Sequence, residues 1–464
     1  MARPGAPDQP LRVAIIGSGP SGFYAADHLL KQKDLHVEID LFDRLPTPFG
    51  LVRGGVAPDH QKIKTVTKAY DKTAANPGFR FYGNVEYGRD ISRDELHAHY
   101  HAVIYAVGAQ TDRRLGVPGE DLSGSHPATE FVGWFNAHPD YRDLTFDLTQ
   151  ETVVVIGNGN VAMDVVRILA RTPEELATTD IGDHALEALR QSRVKDIYIL
   201  GRRGPAQAAF TNPEVRELGE MADAEPVISA SEVAIDPATM DWLATQTDRT
   251  HRSNVDTLTG FSTRSPAEKK RRIHFRFYVS PLEIFGSGHV EGIKLEHNRP
   301  VRGADGLPKA EATGETEILP AGLVFRSIGY LGVAVPGLPF DARKGVLPND
   351  QGRVFDPETK QPLGGDYAVG WIKRGPTGVI GTNKPDAHES ADRLLEDLAN
   401  DRLANPAHPT RTDVESLLRS RGVRFVSWTD WQRLDRMEVE LGKPQNRPRV
   451  KFDRIASMLD ALEQ

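Results

Sequence analysis

Cysteine is absent from all 464 residues. That excludes disulfides, a redox-active thiol pair and any Cys-ligated cluster, and it is expected of an intracellular, cytoplasmic chain. Long apolar runs are missing too. None approaches the ~20 residues a membrane helix needs, so no integral membrane segment is expected. No apolar core precedes the first strand, so no secretory leader is expected either. An excess of positive charge is also lacking. Lys and Arg number 57 against 65 Asp and Glu, a net charge of −8, which argues against nucleic acid as a partner. Neither G-x-S-x-G nor H-E-x-x-H occurs, so no hydrolase elbow or zinc-protease helix is present. The length implies two or three domains.

Glycine carries the signal. Residues 11–17 (LRVAIIG) form a short, almost continuous apolar run, as expected of a strand buried on both faces. Gly17-Ser-Gly19-Pro-Ser-Gly22 follows, then a helical pattern over 21–31 and an alternating strand over 36–42 that ends at Asp43. Strand, glycine turn, helix, strand and acid together make a dinucleotide fingerprint. The pattern returns at 151–156 with Gly157-Asn158-Gly159-Asn160-Val161-Ala162 and a helical pattern over 161–170. Here the next strand, 196–200, comes late, after a helical stretch near 184–191. It ends in Arg202-Arg203 instead of an acid.

The two strand ends predict different nucleotides. A carboxylate at Asp43 accepts hydrogen bonds from ribose hydroxyls and repels a 2′-phosphate, so the first site should take FAD or NAD. Two guanidiniums at Arg202 and Arg203 can clamp a 2′-phosphate, which selects NADP. Glu214 could contact the ribose or balance the arginine pair. Further strands are expected at 101–109, 323–330 and 367–371, and turns near 303–308 and 336–339. The stretch 241–272 reads as polar and exposed. A glycine turn over 375–381 could aim amides at a flavin ring, with Trp371 stacking on a ring or packing. His97 and His101 share an H-x-x-x-H spacing, but no third ligand is near and no metal is expected.

The strings GSGPSGFYAADHL, PFGLVRGGVAPDHQ, FYGNVEYGRD, VVIGNGNVAMDVVRIL, RQSRVKDIYILGRRGPAQAAFT and GWIKRGPTGVIGTNK run through nearly the whole chain. With them the sequence resembles adrenodoxin reductase and its bacterial relatives, the NADPH–ferredoxin reductases of the two-dinucleotide flavoprotein superfamily. The resemblance implies an α/β fold of two Rossmann-like domains, each a three-layer parallel sheet, the NADP domain inserted within the FAD domain. The expected division is 1–109 and 331–464 for FAD, and 110–330 for NADP with its core from about 150.

It also implies site residues. For FAD these are Gly17, Gly19, Ser21, Gly22, Asp43, Leu51, Val85, Trp371, Gly378, Val379 and Ile380. For NADP they are Gly157, Asn158, Gly159, Asn160, Val161, Arg202, Arg203, Glu214 and Gly378. His60 and Glu217 match positions the family associates with electron and proton movement, and are the catalytic candidates. Asp43 stands where Glu is more usual, and Trp371 where disulfide-reductase relatives carry Asp.

The implied activity is hydride transfer from NADPH to FAD, then single electrons to a ferredoxin or adrenodoxin-type iron–sulfur protein, with a cytochrome P450 as one onward acceptor. A diaphorase or flavin NADPH oxidase, or an NADP-binding redox sensor, is the alternative. An acidic ferredoxin should meet a basic face, for which Arg193, Lys195, Arg216 and the run Lys269, Lys270, Arg271, Arg272 are candidates.

Overall fold

The computed structural model describes residues 4–265, 267–303 and 307–463. Two sheets organise the chain, one mostly and one wholly parallel. The first is seven-stranded and orders Asn349–Asp350, Arg353–Phe355, Pro362–Ala368, Ala102–Tyr105, Leu11–Ile16, Val37–Phe42 and Phe79–Tyr82 from edge to edge. Its strands from Pro362–Ala368 onward to Phe79–Tyr82 pair in parallel, and the first two pair antiparallel. The run Leu11–Ile16 lies in the middle of the five parallel strands with every residue buried, which is why it is apolar apart from Arg12, whose guanidinium pairs with buried Asp40 at 3.1 Å.

The second sheet is six-stranded: Ser125–Pro127, Leu323–Arg326, Thr152–Ile156, Asp196–Leu200, Arg271–Arg276 and Ala224–Val227, all parallel. The chain thus builds part of the first sheet, completes the second, and returns to finish the first. It crosses through a two-stranded ribbon in which Thr111–Asp112 pairs antiparallel with Tyr330–Leu331. A third, antiparallel sheet (Val279–Phe285, Gly292–Arg302, Pro308–Pro320) packs beside the second.

Several sequence expectations are corrected in detail. The strands expected at 101–109, 323–330 and 367–371 are Ala102–Tyr105, Leu323–Arg326 and Pro362–Ala368. In each case the run continues past the hydrogen-bonded ladder into a loop. Trp371 instead opens a short helix, Trp371–Arg374. The stretch 241–272 is not simply exposed. Helices Pro237–Thr245 and Thr250–Ser262 occupy much of it, and the second buries Asn254, Leu258 and Phe261. Three buried side chains anchor a helix whose other faces are polar, so the apolar periodicity is thin. Residues 304–306 of the turn expected at 303–308 lie outside the described residues. Among the described residues no helix is long and apolar enough to cross a membrane.

Candidate functional site

The first glycine turn joins the central strand to helix Pro20–Leu30, and the second joins Thr152–Ile156 to helix Asn160–Ala170. Gly17 and Gly157 have φ of 108° and 115°. A Cβ on either would fall 2.5 Å from Ala106 O or 2.1 Å from Ser327 O. The fold itself therefore demands these glycines. Gly19 and Gly159 differ. A Cβ on either meets no protein atom within 4 Å, so the constraint comes from outside the protein, as close approach of a pyrophosphate would supply. Each of these two is also the N-cap of its helix, with no side chain capping the free N–H groups. By contrast Ser92, Thr172, Thr410 and Ser427 close capping boxes on other helices. Two uncapped helix starts behind glycine turns fit two bound dinucleotides.

Asp43 ends strand Val37–Phe42 beside the first turn. Its Oδ2 accepts from Ser18 N and Oγ at 3.0 and 2.5 Å, and its Oδ1 from Leu45 N at 2.9 Å. Val85 is buried next to it, donating its N–H to Asp43 O. Leu51 is 44% exposed at the start of helix Leu51–Gly54. Ser21 Oγ lies where a Cβ on Gly370 would come within 2.2 Å, so the far glycine stretch is seated directly on the first helix. Asp386 holds that stretch from behind, accepting from Gly370 N at 2.5 Å while pairing with Lys373 at 3.2 Å. Trp371 stacks on Tyr330 with centroids 5.5 Å apart and donates Nε1–H to Thr377 O. Gly378 and Val379 are exposed and Ile380 begins a single 3₁₀ turn before helix Asn383–Ala399.

Arg202 and Arg203 are exposed just past strand Asp196–Leu200. Their main chain is held, with Arg202 O accepting from Asn298 Nδ2 and Arg203 O from Tyr278 N. Asn158 O accepts from Ala209 N, Asn160 Oδ1 accepts from Thr211 N, and Val161 packs on the core. Glu214 does not balance the arginine pair. Its Oε2 accepts from Arg167 at 3.0 Å instead.

The structure brings His60 and Glu217 together, with Nε2 and Oε2 3.0 Å apart, although they come from different sheets' units. Arg167, fully buried, sits behind them. It donates to both oxygens of Asp59, to Asp164 Oδ1 at 2.5 Å and to Glu214, and lies 3.3 Å from His60 Nδ1. Burial opposes a charge on His60, but the hydrogen bond to Glu217 and the surrounding carboxylates outweigh burial and the guanidinium, so its pKa is raised. That same hydrogen bond is the main reason Glu217 is held below the usual carboxylate range. Burial would raise Asp59, yet Arg167 overrides it and keeps the group ionised far into acid. His60, Glu214 and Glu217 offer three donor atoms within 4.8 Å of one another. The Arg167 guanidinium donates to Glu214 and lies 3.3 Å from His60 Nδ1, and its positive charge disfavours a cation there.

Sequence reasoning did not single out Arg167, Asp59 or Asp164. The available signal was an Asp and an Arg three residues apart on the helix behind the second glycine turn. His97 and His101 are not joined: His97 meets Asp366, and His101 Nδ1 accepts from Arg12 N. The docking candidates at 269–272 are largely committed elsewhere. Lys269 donates to Met221 O and Ala224 O, Lys270 pairs with Asp223, and Arg272 forks onto Asp196. Arg271 is half-buried in the last parallel strands. Lys195 pairs with Glu151, while Arg193 and Arg216 are exposed.

Residues 11–199 match the model for pyridine nucleotide-disulphide oxidoreductases. The chain is 49% identical over 459 residues to the NADPH-ferredoxin reductase FprA of Mycobacterium leprae, covering 96% of this chain and 97% of that one. It belongs to the NADPH–ferredoxin reductase family. Within the family it is 41% identical to the mitochondrial NADPH:adrenodoxin oxidoreductase of Salvelinus fontinalis, over 97% of this chain and 90% of the other. The structure of Mycobacterium tuberculosis FprA in complex with NADPH superposes with a TM-score of 0.93 at 46% identity, covering 98% of this chain and 100% of that one.

Proposed function

We propose that this chain is an NADPH-dependent reductase of a ferredoxin-type iron–sulfur protein, working with bound FAD in the cytoplasm. The FAD unit would comprise 1–109 and 331–464, and the NADP unit 110–330. The observation that carries the reading is the contrast at the two strand ends: a carboxylate beside one uncapped glycine turn, two arginines beside the other. FAD, when bound, accepts two electrons as a hydride from NADPH and releases them singly, the conversion an iron–sulfur acceptor needs.

The chain's own residues bind, orient and shield. Gly17, Gly19 and Gly22 would receive the FAD pyrophosphate and Asp43 its ribose, with Ser21, Leu51, Val85, Trp371 and residues 378–380 along the rest. Gly157 to Val161 would receive the NADP pyrophosphate, Arg202 and Arg203 its 2′-phosphate. His60, hydrogen-bonded to Glu217, is the proton-holding group of the site. With no cysteine in the chain, no thiol relay exists, and electrons must leave directly to a separate protein. A cytochrome P450 is the onward acceptor to be tested first.

The test is anaerobic addition of NADPH to the purified protein, followed by ferredoxin-dependent cytochrome c reduction. Bleaching of the flavin and acceleration by ferredoxin are expected. Bleaching that no iron–sulfur protein turns into faster onward transfer would leave a diaphorase and refute the ferredoxin half of the proposal. Ferredoxin-dependent turnover should fall steeply with salt while ferricyanide reduction stays flat, since only the first needs charged docking.

A further inference from the structure

His60 leaves the first unit on the loop before helix Gln61–Lys64 and enters a socket in which both ring nitrogens meet groups of the second. We propose that Arg167 is a positioning residue that fixes which nitrogen of His60 carries the proton, and ties that choice to the seating of the two units. A guanidinium has N–H donors and no acceptor. Arg167 Nη2, 3.3 Å from Nδ1, shares two hydrogens among Nδ1, Asp59 Oδ1 and Asp164 Oδ1, so a proton on Nδ1 of the neutral ring would meet a donor where a lone pair meets a hydrogen. The proton then belongs on Nε2, which faces the Glu217 carboxylate at 3.0 Å. The two ends of the ring agree.

The other neighbours of Nδ1 make Arg167 the deciding group. Glu214 Oε1 lies 3.8 Å away and Asp164 Oδ1 4.0 Å away. Without the guanidinium both carboxylates would attract a proton to Nδ1. Arg167 is itself fixed by a fork onto Asp59, the residue before His60, and Asp59 is gripped again by Arg171 at 2.8 Å. The group that reads Nδ1 is therefore anchored to the same loop that presents the ring. Separation of the units would remove the donor from Nδ1 and the acceptor from Nε2 together. The groups facing the ring are Asp59 on its own loop, Asp164, Arg167 and Arg171 on or just past helix Asn160–Ala170, and Glu214 and Glu217 on helix Asn212–Leu218. Four carboxylates face two guanidiniums, so loss of one guanidinium raises the affinity of the ring for a second proton.

The relevance to turnover rests on the proposed function, whereas the tautomer does not. The experiment is two-bond ¹H–¹⁵N correlation on histidine-labelled, flavin-loaded full chain, with the His60 signal identified by its loss in His60→Gln. Above its titration, His60 should be protonated at Nε2 and bare at Nδ1. In Arg167→Gln the Nδ1–H tautomer should appear and the titration midpoint should move up. Arg167→Lys keeps the charge and should move the midpoint less. A wild-type ring protonated at Nδ1 overturns the proposal without any variant, which covers a Gln variant that does not fold. An unchanged tautomer and midpoint in Arg167→Gln overturns it as well. Failure of every iron–sulfur protein to accept electrons would refute the functional reading and leave the tautomer assignment standing.

Discussion

Asp164 sits where burial and charge pull in opposite directions. Burial pushes its carboxyl up to about 6, with Arg167 pulling it down and Glu214 adding repulsion. A carboxyl raised in the folded state contributes stability that is complete below its unfolded value and is lost as pH rises through its folded one. Asp59, held low, acts with the opposite sign and only as pH falls through the acid range. Asp164→Asn keeps an acceptor for Arg167 and removes the titration. It should flatten the pH dependence of thermal stability between about pH 4 and 6, and gain roughly 2 kcal/mol at neutral pH. Parallel Tm profiles for the two proteins would refute this. Arg202 and Arg203 give a second prediction. Replacing both with Gln should raise the KM for NADPH by about a hundredfold or more, since each charge-assisted contact is worth ~1.5–3 kcal/mol. The KM for NADH should hardly change, and an equal rise for both would place the 2′-phosphate elsewhere. These two arginines and Asp43 were legible because they end strands beside glycine turns. Arg167 was not, because the sequence pattern does not tell a buried charge from a solvated one. Asp164 is its neighbour on the helix, but its other partners, Asp59 and Glu214, lie on a loop and a helix far away in the chain.

The two glycine turns are not interchangeable as elements. A Cβ on Gly22 would lie 2.2 Å from Gly17 O, a backbone atom that cannot give way. The second turn carries Ala162 at the matching place, fully buried and accommodated. Gly22→Ala should therefore open the first turn and lose bound flavin, read as the flavin-to-protein absorbance ratio. Ala162→Gly should cost only about 1 kcal/mol in helix propensity and keep NADPH affinity. Full flavin content in Gly22→Ala would show that the turn tolerates the shift. The parallel strands around these turns were legible because strands buried on both faces are continuous apolar runs. The antiparallel sheet over 279–320 was not. Its outer strand, Pro308–Pro320, is exposed at most positions, and register shifts interrupt both of its ladders. No clean alternation survives there to be seen.

At the scale of the whole molecule, the short ribbon at 111–112 and 330–331, the Asp59–His60 socket and a buried charge cluster reached by the C-terminal segment join the units. Lys451 and Lys64 of the first unit converge on Asp180 of the second, at 3.1 and 2.8 Å, with Lys451 and Asp180 almost fully buried. Arg447 adds bonds to the carbonyls of Thr179 and Ile181. Burial lowers both lysines, and the same two lysines hold Asp180 well below the carboxylate range against its own burial. Removing the one carboxylate leaves two buried ammonium groups facing each other. Asp180→Asn should therefore cost about 3–5 kcal/mol at neutral pH. The signs then separate a charge effect from a packing defect. A lysine lowered in the folded state binds fewer protons there than when unfolded, so stability rises with pH above its folded value. The variant, with its lysines lowered further, should recover part of its deficit as pH rises toward the ordinary lysine value of 10.5. Thermal unfolding of the flavin-loaded protein at pH 7 and 9.5 measures this. A deficit that stays constant with pH would mean that the cluster joins the units through shape alone, and that the charges on Lys64 and Lys451 do not set how firmly they are held.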